Sequence, residues 1–116
     1  MENTLNYLTI RGFKSIKELQ NFKLENLNVF VGANGAGKSN LLSFFNMLNM
    51  IMNDNLTSYI NKNGGISDIL YNGRKTTKEM TFEMFFGEYS YGFEISPTAN
   101  EGGFISRKYC SSDKLI

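Results

Sequence analysis

The spacing of apolar and polar positions changes several times along this chain, and each change marks an element. Leu5 to Ile10 reads as a first strand, and Arg11-Gly-Phe-Lys-Ser15 reads as a basic turn. A second extended stretch runs through Leu19, Phe22 and Leu24. Glu25-Asn26 then turns the chain into Leu27-Asn-Val-Phe-Val31, a short apolar run of the kind that forms a buried strand. From Asn40 to Asn53 the pattern is helical. Polar residues fall at Ser39, Ser43, Asn46, Asn49 and Asn53, which trace one narrow stripe, while Leu41, Leu42, Phe44, Phe45, Met47, Leu48, Met50, Ile51 and Met52 cover the rest of the circumference. Such a helix must be covered on most sides by neighbouring elements.

Residues 53 to 65 are rich in Asn, Lys and Gly and read as a surface loop, with room for a turn of helix near Leu56 to Ile60. A short apolar piece, Ile66 to Tyr71, and a basic turn, Asn72-Gly-Arg-Lys75, lead into a β-rich segment over 79–110. There Met80, Phe82, Met84 and Phe86 alternate with Thr81, Glu83 and Phe85, and Gly87-Glu88 suits a type II′ hairpin turn. Tyr89, Tyr91, Phe93 and Ile95 alternate on the return strand, and Phe104 to Cys110 can add a third antiparallel strand after the loop Pro97 to Gly103. The aromatic alternation suits an apolar face packed on the helix better than a platform for stacked bases.

Between the apolar strand and the helix lies Gly32-Ala-Asn-Gly-Ala-Gly37-Lys38-Ser39, a Gly, four free positions and then Gly-Lys-Ser. Strand, loop and helix in that order give a phosphate-binding (Walker A) loop its required context. Glycines let the main chain wrap closely around phosphates with its amide N–H groups pointing inward. The first helical turn adds unpaired N–H donors and the positive end of its dipole. Lys38 supplies a mobile charge for the β- and γ-phosphates of a nucleotide, and the Ser39 hydroxyl suits a Mg²⁺ that keeps most of its waters.

Composition narrows the picture further. The 116 residues are 41% hydrophobic and 20% charged, which suits one modest globular core. No stretch approaches a membrane span, and the polar start Glu2-Asn3-Thr4 has no signal pattern, so the expected location is the cytoplasm. Cys110 is the only cysteine and reads as filler near a strand end, and without histidine the usual zinc ligand sets are missing. Twelve basic against eleven acidic residues leave a net charge of +1, which argues neither for nor against a nucleic-acid partner.

Taken together, Leu8-Thr-Ile-Arg-Gly-Phe-Lys-Ser15, the strand Leu27 to Val31 and Gly32-Ala-Asn-Gly-Ala-Gly-Lys-Ser-Asn40-Leu-Leu42 resemble the N-terminus of ATPases with ABC-type heads. Within that superfamily the chain resembles the RecF, structural-maintenance-of-chromosomes and overcoming-lysogenization-defect (OLD) branch. Asn34, Asn40 and the Gly-Phe-Lys-Ser turn carry that preference over membrane transporters. Gly64-Gly-Ile-Ser-Asp-Ile-Leu70, followed by Gly73 and the hairpin, is similar to bacterial AAA-family ATPases, several of which belong to antiviral defence systems.

The resemblance implies an α/β fold of the P-loop NTPase class: an ABC-type head lobe with an antiparallel β subdomain, incomplete, with residues 1–116 as part of the N-terminal ATP-binding lobe. It implies that Gly32, Ala33, Asn34, Gly35, Ala36, Gly37, Lys38, Ser39 and Asn40 bind ATP, with Mg²⁺ on Ser39. Lys14 and Ser15 match a basic turn that comes close to the nucleotide in such heads, although a solvated turn lysine is an equally good account of Lys14. Complete heads also need an apolar strand ending in Asp-Glu, a signature loop from a second head and a switch histidine. This sequence has none of these, and its only glutamine, Gln20, precedes the loop. No catalytic residue is therefore assigned here, and ATP turnover is expected only of a complete head. The expected partners are a second head or a C-terminal lobe, within an oligomer, and nucleic acid through the full assembly; a membrane is not among them. A non-hydrolysing assembly or sensor module is the alternative, and a transporter ATPase lobe a weaker third.

Overall fold

The computed structural model describes residues 5–23 and 35–112, and the side chains of all these except 35–38 and 111–112. The element order is β1 (Leu5–Phe13), β2 (Ile16–Lys23), α1 (Gly35–Met52), α2 (Leu56–Lys62), a 3-10 turn (Ile66–Asp68), β3 (Met80–Phe86), β4 (Tyr89–Pro97) and β5 (Gly103–Ser112). The expected strand Leu27 to Val31 lies outside the described residues. The five strands form one sheet in the order β2-β1-β3-β4-β5, and every neighbouring pair is antiparallel.

The two faces of this sheet differ in chemistry, as expected of an antiparallel sheet covered on one side. On the inner face Leu8 pairs with Met84, Ile10 with Phe82, Phe82 with Phe93 and Met80 with Ile95, and all of these side chains are buried. On the outer face the Arg11 guanidinium meets Glu18 at 3.2 Å and the Tyr109 hydroxyl donates to Glu83 at 3.3 Å. Tyr109 lies across Gly92, where a Cβ would run into its ring, so the absence of a side chain at 92 makes room for that ring.

Helix α1 lays Leu41, Phe44 and Met47 on the inner face, all buried. Phe82 is the centre of this packing. Its ring centroid is 5.6 Å from that of Phe13, 5.3 Å from Phe44 and 5.0 Å from Phe93, so one aromatic cluster ties β1, β3, β4 and α1 together. Each well-formed aromatic pair adds about 0.5–1.5 kcal/mol beyond its buried area. Buried in this way, Phe82 and Phe93 are core residues.

Strand β1 and helix α1 extend beyond their sequence pattern. Strand β1 continues through Arg11–Phe13, so the turn narrows to Lys14-Ser15, between the paired residues Phe13 and Ile16. Gly12 makes the continuation possible: it is buried with φ of 77°, and a Cβ there would lie 2.8 Å from Thr77 Cγ2 and 3.0 Å from the Glu79 carbonyl oxygen. Helix α1 starts at Gly35, inside the glycine-rich loop, so residues 35 to 39 are its first turn. The turn of helix expected near Leu56 to Ile60 is present as the seven-residue helix α2, which buries Tyr59 and Ile60. The β3–β4 hairpin turns at Gly87, with φ of 59°, and Glu88 is not in the left-handed region, as a type II′ turn requires.

Candidate functional site

The candidate site is centred on the N-terminal end of α1. Gly35 to Ser39 form its first turn, no acidic residue occurs there, and Ser39 is exposed. Gly32, Ala33 and Asn34 lie outside the described residues, as do the side chains of Gly35, Ala36, Gly37 and Lys38. A first turn leaves its N–H groups without intrahelical partners. With no carboxylate within the turn itself to repel it, an anion is the natural acceptor.

Asn40 follows Ser39 and is 9% exposed. A buried amide needs a partner. Its Nδ2 donates to Ser15 Oγ at 2.6 Å, across 25 residues of sequence. The structure therefore brings together two of the predicted site residues, one from the β1–β2 turn and one from the first two turns of the helix.

Lys14 makes different contacts. Its backbone N–H donates to the Ile69 carbonyl at 2.6 Å, and its ammonium donates to Asn63 Oδ1 at 3.0 Å. The ammonium also lies 6.0 Å from the Phe13 ring centroid, and partial burial holds its pKa below the usual lysine range. Asn63 in turn donates its Nδ2 to the Tyr59 carbonyl at 2.8 Å, at the C-cap of α2. The Tyr59 hydroxyl reaches the Ser43 carbonyl of α1 at 3.5 Å, and burial pushes its pKa up to about 12. The two-residue turn is thus joined to both helices and to the segment after α2.

Asn63 was not legible as part of this arrangement. Its position before Gly64-Gly65 marks a helix end, but nothing local indicates a lysine 49 positions away. A second clasp likewise has no local sequence signal. Glu101 accepts from the Ser67 N–H at 3.0 Å and the Ser67 hydroxyl at 2.9 Å, and Arg74 meets it at 3.3 Å. These bonds, with the Ser67 backbone first, hold the Glu101 carboxyl below the usual range. They pin the β4–β5 turn to the segment after α2.

The model of the family described as AAA domain, putative AbiEii toxin, Type IV TA system, matches residues 27–114. That is more than half of the chain, and the chain belongs to this family. It is an AAA-type ATPase domain, a class that in general binds nucleotide with Mg²⁺. The match begins after β2, so it includes the loop and α1 but not the turn that carries Lys14 and Ser15. No curated protein and no solved structure matches the chain.

Among the described residues no group of three or more His, Cys, Asp or Glu side chains could hold a metal ion. No helix among them is long and apolar enough to cross a membrane.

Proposed function

We propose that this chain is the ATP- and Mg²⁺-binding lobe of an ABC-type head ATPase of the RecF-like or OLD-like kind, located in the cytoplasm. In this reading the complete head dimerises around ATP and acts on nucleic acid in repair or antiviral defence. The observation that carries the reading is the loop Gly32–Ser39 running into an α1 N-terminus that has no acidic residue in its first turn. The residues fit the ligand: main-chain N–H groups of the loop and first turn would hold phosphate oxygens, and Lys38 would place its charge beside the β- and γ-phosphates. Ser39, exposed at the end of that turn, would hold Mg²⁺. Bound Mg²⁺ neutralises phosphate charge while keeping several of its waters. Membership of an AAA domain family supports nucleotide binding; the RecF-like or OLD-like kind and the nucleic-acid role rest on the sequence resemblance.

Titration of labelled ATP with Mg²⁺ against the wild-type chain and Lys38→Ala tests the reading. Binding should be lost in the variant, and equal affinities would overturn the phosphate-loop assignment. The chain alone should release no phosphate above the Lys38→Ala background, because no carboxylate in it is assigned to an attacking water.

A further inference from the structure

The β1–β2 turn lies outside the family match, yet it makes a short side-chain contact at the N-terminal end of α1. Asn40 is one residue beyond Ser39, is nearly enclosed, and directs its amide nitrogen to the Ser15 hydroxyl at 2.6 Å. Ser15 is exposed and sits on a turn that cannot easily shift. Lys14 holds the turn in a left-handed conformation, φ 53°. Its N–H is bonded to Ile69 and its ammonium to Asn63, while Tyr71 donates its N–H to the Gly12 carbonyl at 2.9 Å. Backbone and side-chain bonds from separate segments therefore fix the platform on which the helix start rests.

We propose that Ser15 and Asn40 form a positioning pair for the nucleotide site: their hydrogen bond holds the first turn of α1 in the orientation that phosphate oxygens require, and neither side chain contacts the nucleotide. The proposal rests on the nucleotide-binding reading above. Amide donors bind an anion only when they converge on it, so a small rotation of the first turn weakens several bonds together. Lys14 and Asn63 serve the same function one step further away, by keeping the turn in place.

The pair has a signature that direct contacts would lack. If Ser15 and Asn40 act only through one shared hydrogen bond, removing either removes the whole effect, and removing both adds nothing. Two independent contacts with the nucleotide would give effects that multiply.

The test is calorimetric titration of Mg²⁺-ATP against the full chain as wild type, Ser15→Ala, Ser15→Thr, Asn40→Ala, the Ser15→Ala/Asn40→Ala double variant and Lys38→Ala. Thermal unfolding of each without nucleotide runs alongside. Ser15→Ala should weaken binding by about tenfold, the size of one good hydrogen bond. The double variant should be no weaker than the worse single, and Ser15→Thr, which keeps the hydroxyl, should stay close to wild type. Because Ser15 is exposed, Ser15→Ala gives a readable result even if Asn40→Ala folds poorly. Wild-type affinity in Ser15→Ala, with or without a lowered melting temperature, would overturn the inference, and so would effects that multiply in the double variant. If Lys38→Ala binds like wild type, it is the nucleotide reading that fails; if Lys38→Ala loses binding while Ser15→Ala does not, only the positioning pair fails.

Discussion

The two ends of helix α1 are held by different forces. At its N-terminal end a buried amide is fixed by one directional bond, Asn40 to Ser15 at 2.6 Å, on a turn that is itself hydrogen-bonded to two further segments. At its C-terminal end Leu48, Ile51 and Met52 face Met84, Phe86, Tyr91, Phe93 and Ile105 across an open apolar groove of about 340 Å³. Met52 there is 75% exposed. Between the two ends lies the close-packed aromatic cluster. Directional bonds fix an orientation, which a phosphate site needs, whereas apolar contacts lower free energy without fixing one. On the nucleotide-binding reading, the arrangement separates the end of the helix that is oriented from the middle, where Phe44 and Met47 are buried.

The largest effect on stability should come from the middle. Phe82→Ala removes a ring that touches three others, and should cost about 3–5 kcal/mol in a urea or guanidinium unfolding experiment. A cost below about 1 kcal/mol would show that the cluster does not hold the sheet to the helix.

A smaller effect should come from the apolar surface that stays bare. Leu42 is 59% exposed and Met52 75%, and apolar side chains left bare can drive association. Met52→Lys should reduce concentration-dependent light scattering of the isolated chain while changing its stability by about 0.5 kcal/mol or less. Unchanged scattering in both Met52→Lys and Leu42→Lys would show that these side chains are not what associates.

The smallest effect is a pH dependence. Folding raises the Tyr59 pKa to about 12 from the ordinary 10, because burial disfavours the phenolate. Below pH 10 both folded and unfolded states keep the proton. Between about 10 and 12 the unfolded chain ionises first, so stability falls as pH rises through that window. Thermal unfolding of wild type and Tyr59→Phe across it should show a shallower decline for the variant; parallel declines would mean that Tyr59 is not enclosed.

The contrast between the two ends also explains what was legible in the sequence. Helix α1 and the β3–β4 hairpin follow from local periodicity and from Gly87, and both were readable because each residue's face is set by its neighbours in the chain. The span of β1 was not. Its continuation to Phe13 depends on Gly12 meeting Thr77 and Glu79, which no pattern near residue 12 signals. The glycine-rich loop pointed to phosphate chemistry, but gave no sign that Gly35 is already helical. Lys14 and Ser15 stand out by resemblance alone; their partners, Asn63 and Asn40, are 49 and 25 positions away. A side-chain hydrogen bond across such a distance leaves no periodic trace, so the support of the site emerges only when the chain is folded.

Nucleotide should engage the fixed end of α1. Amide hydrogen exchange of the full chain with and without Mg²⁺-ATP, on wild type and Lys38→Ala, tests it most directly. Exchange should slow over residues 32–41 and at the Lys14-Ser15 turn in wild type, stay unchanged over 48–52, and show no protection in Lys38→Ala. Protection confined to the C-terminal half of the helix, or equal in wild type and Lys38→Ala, would contradict it.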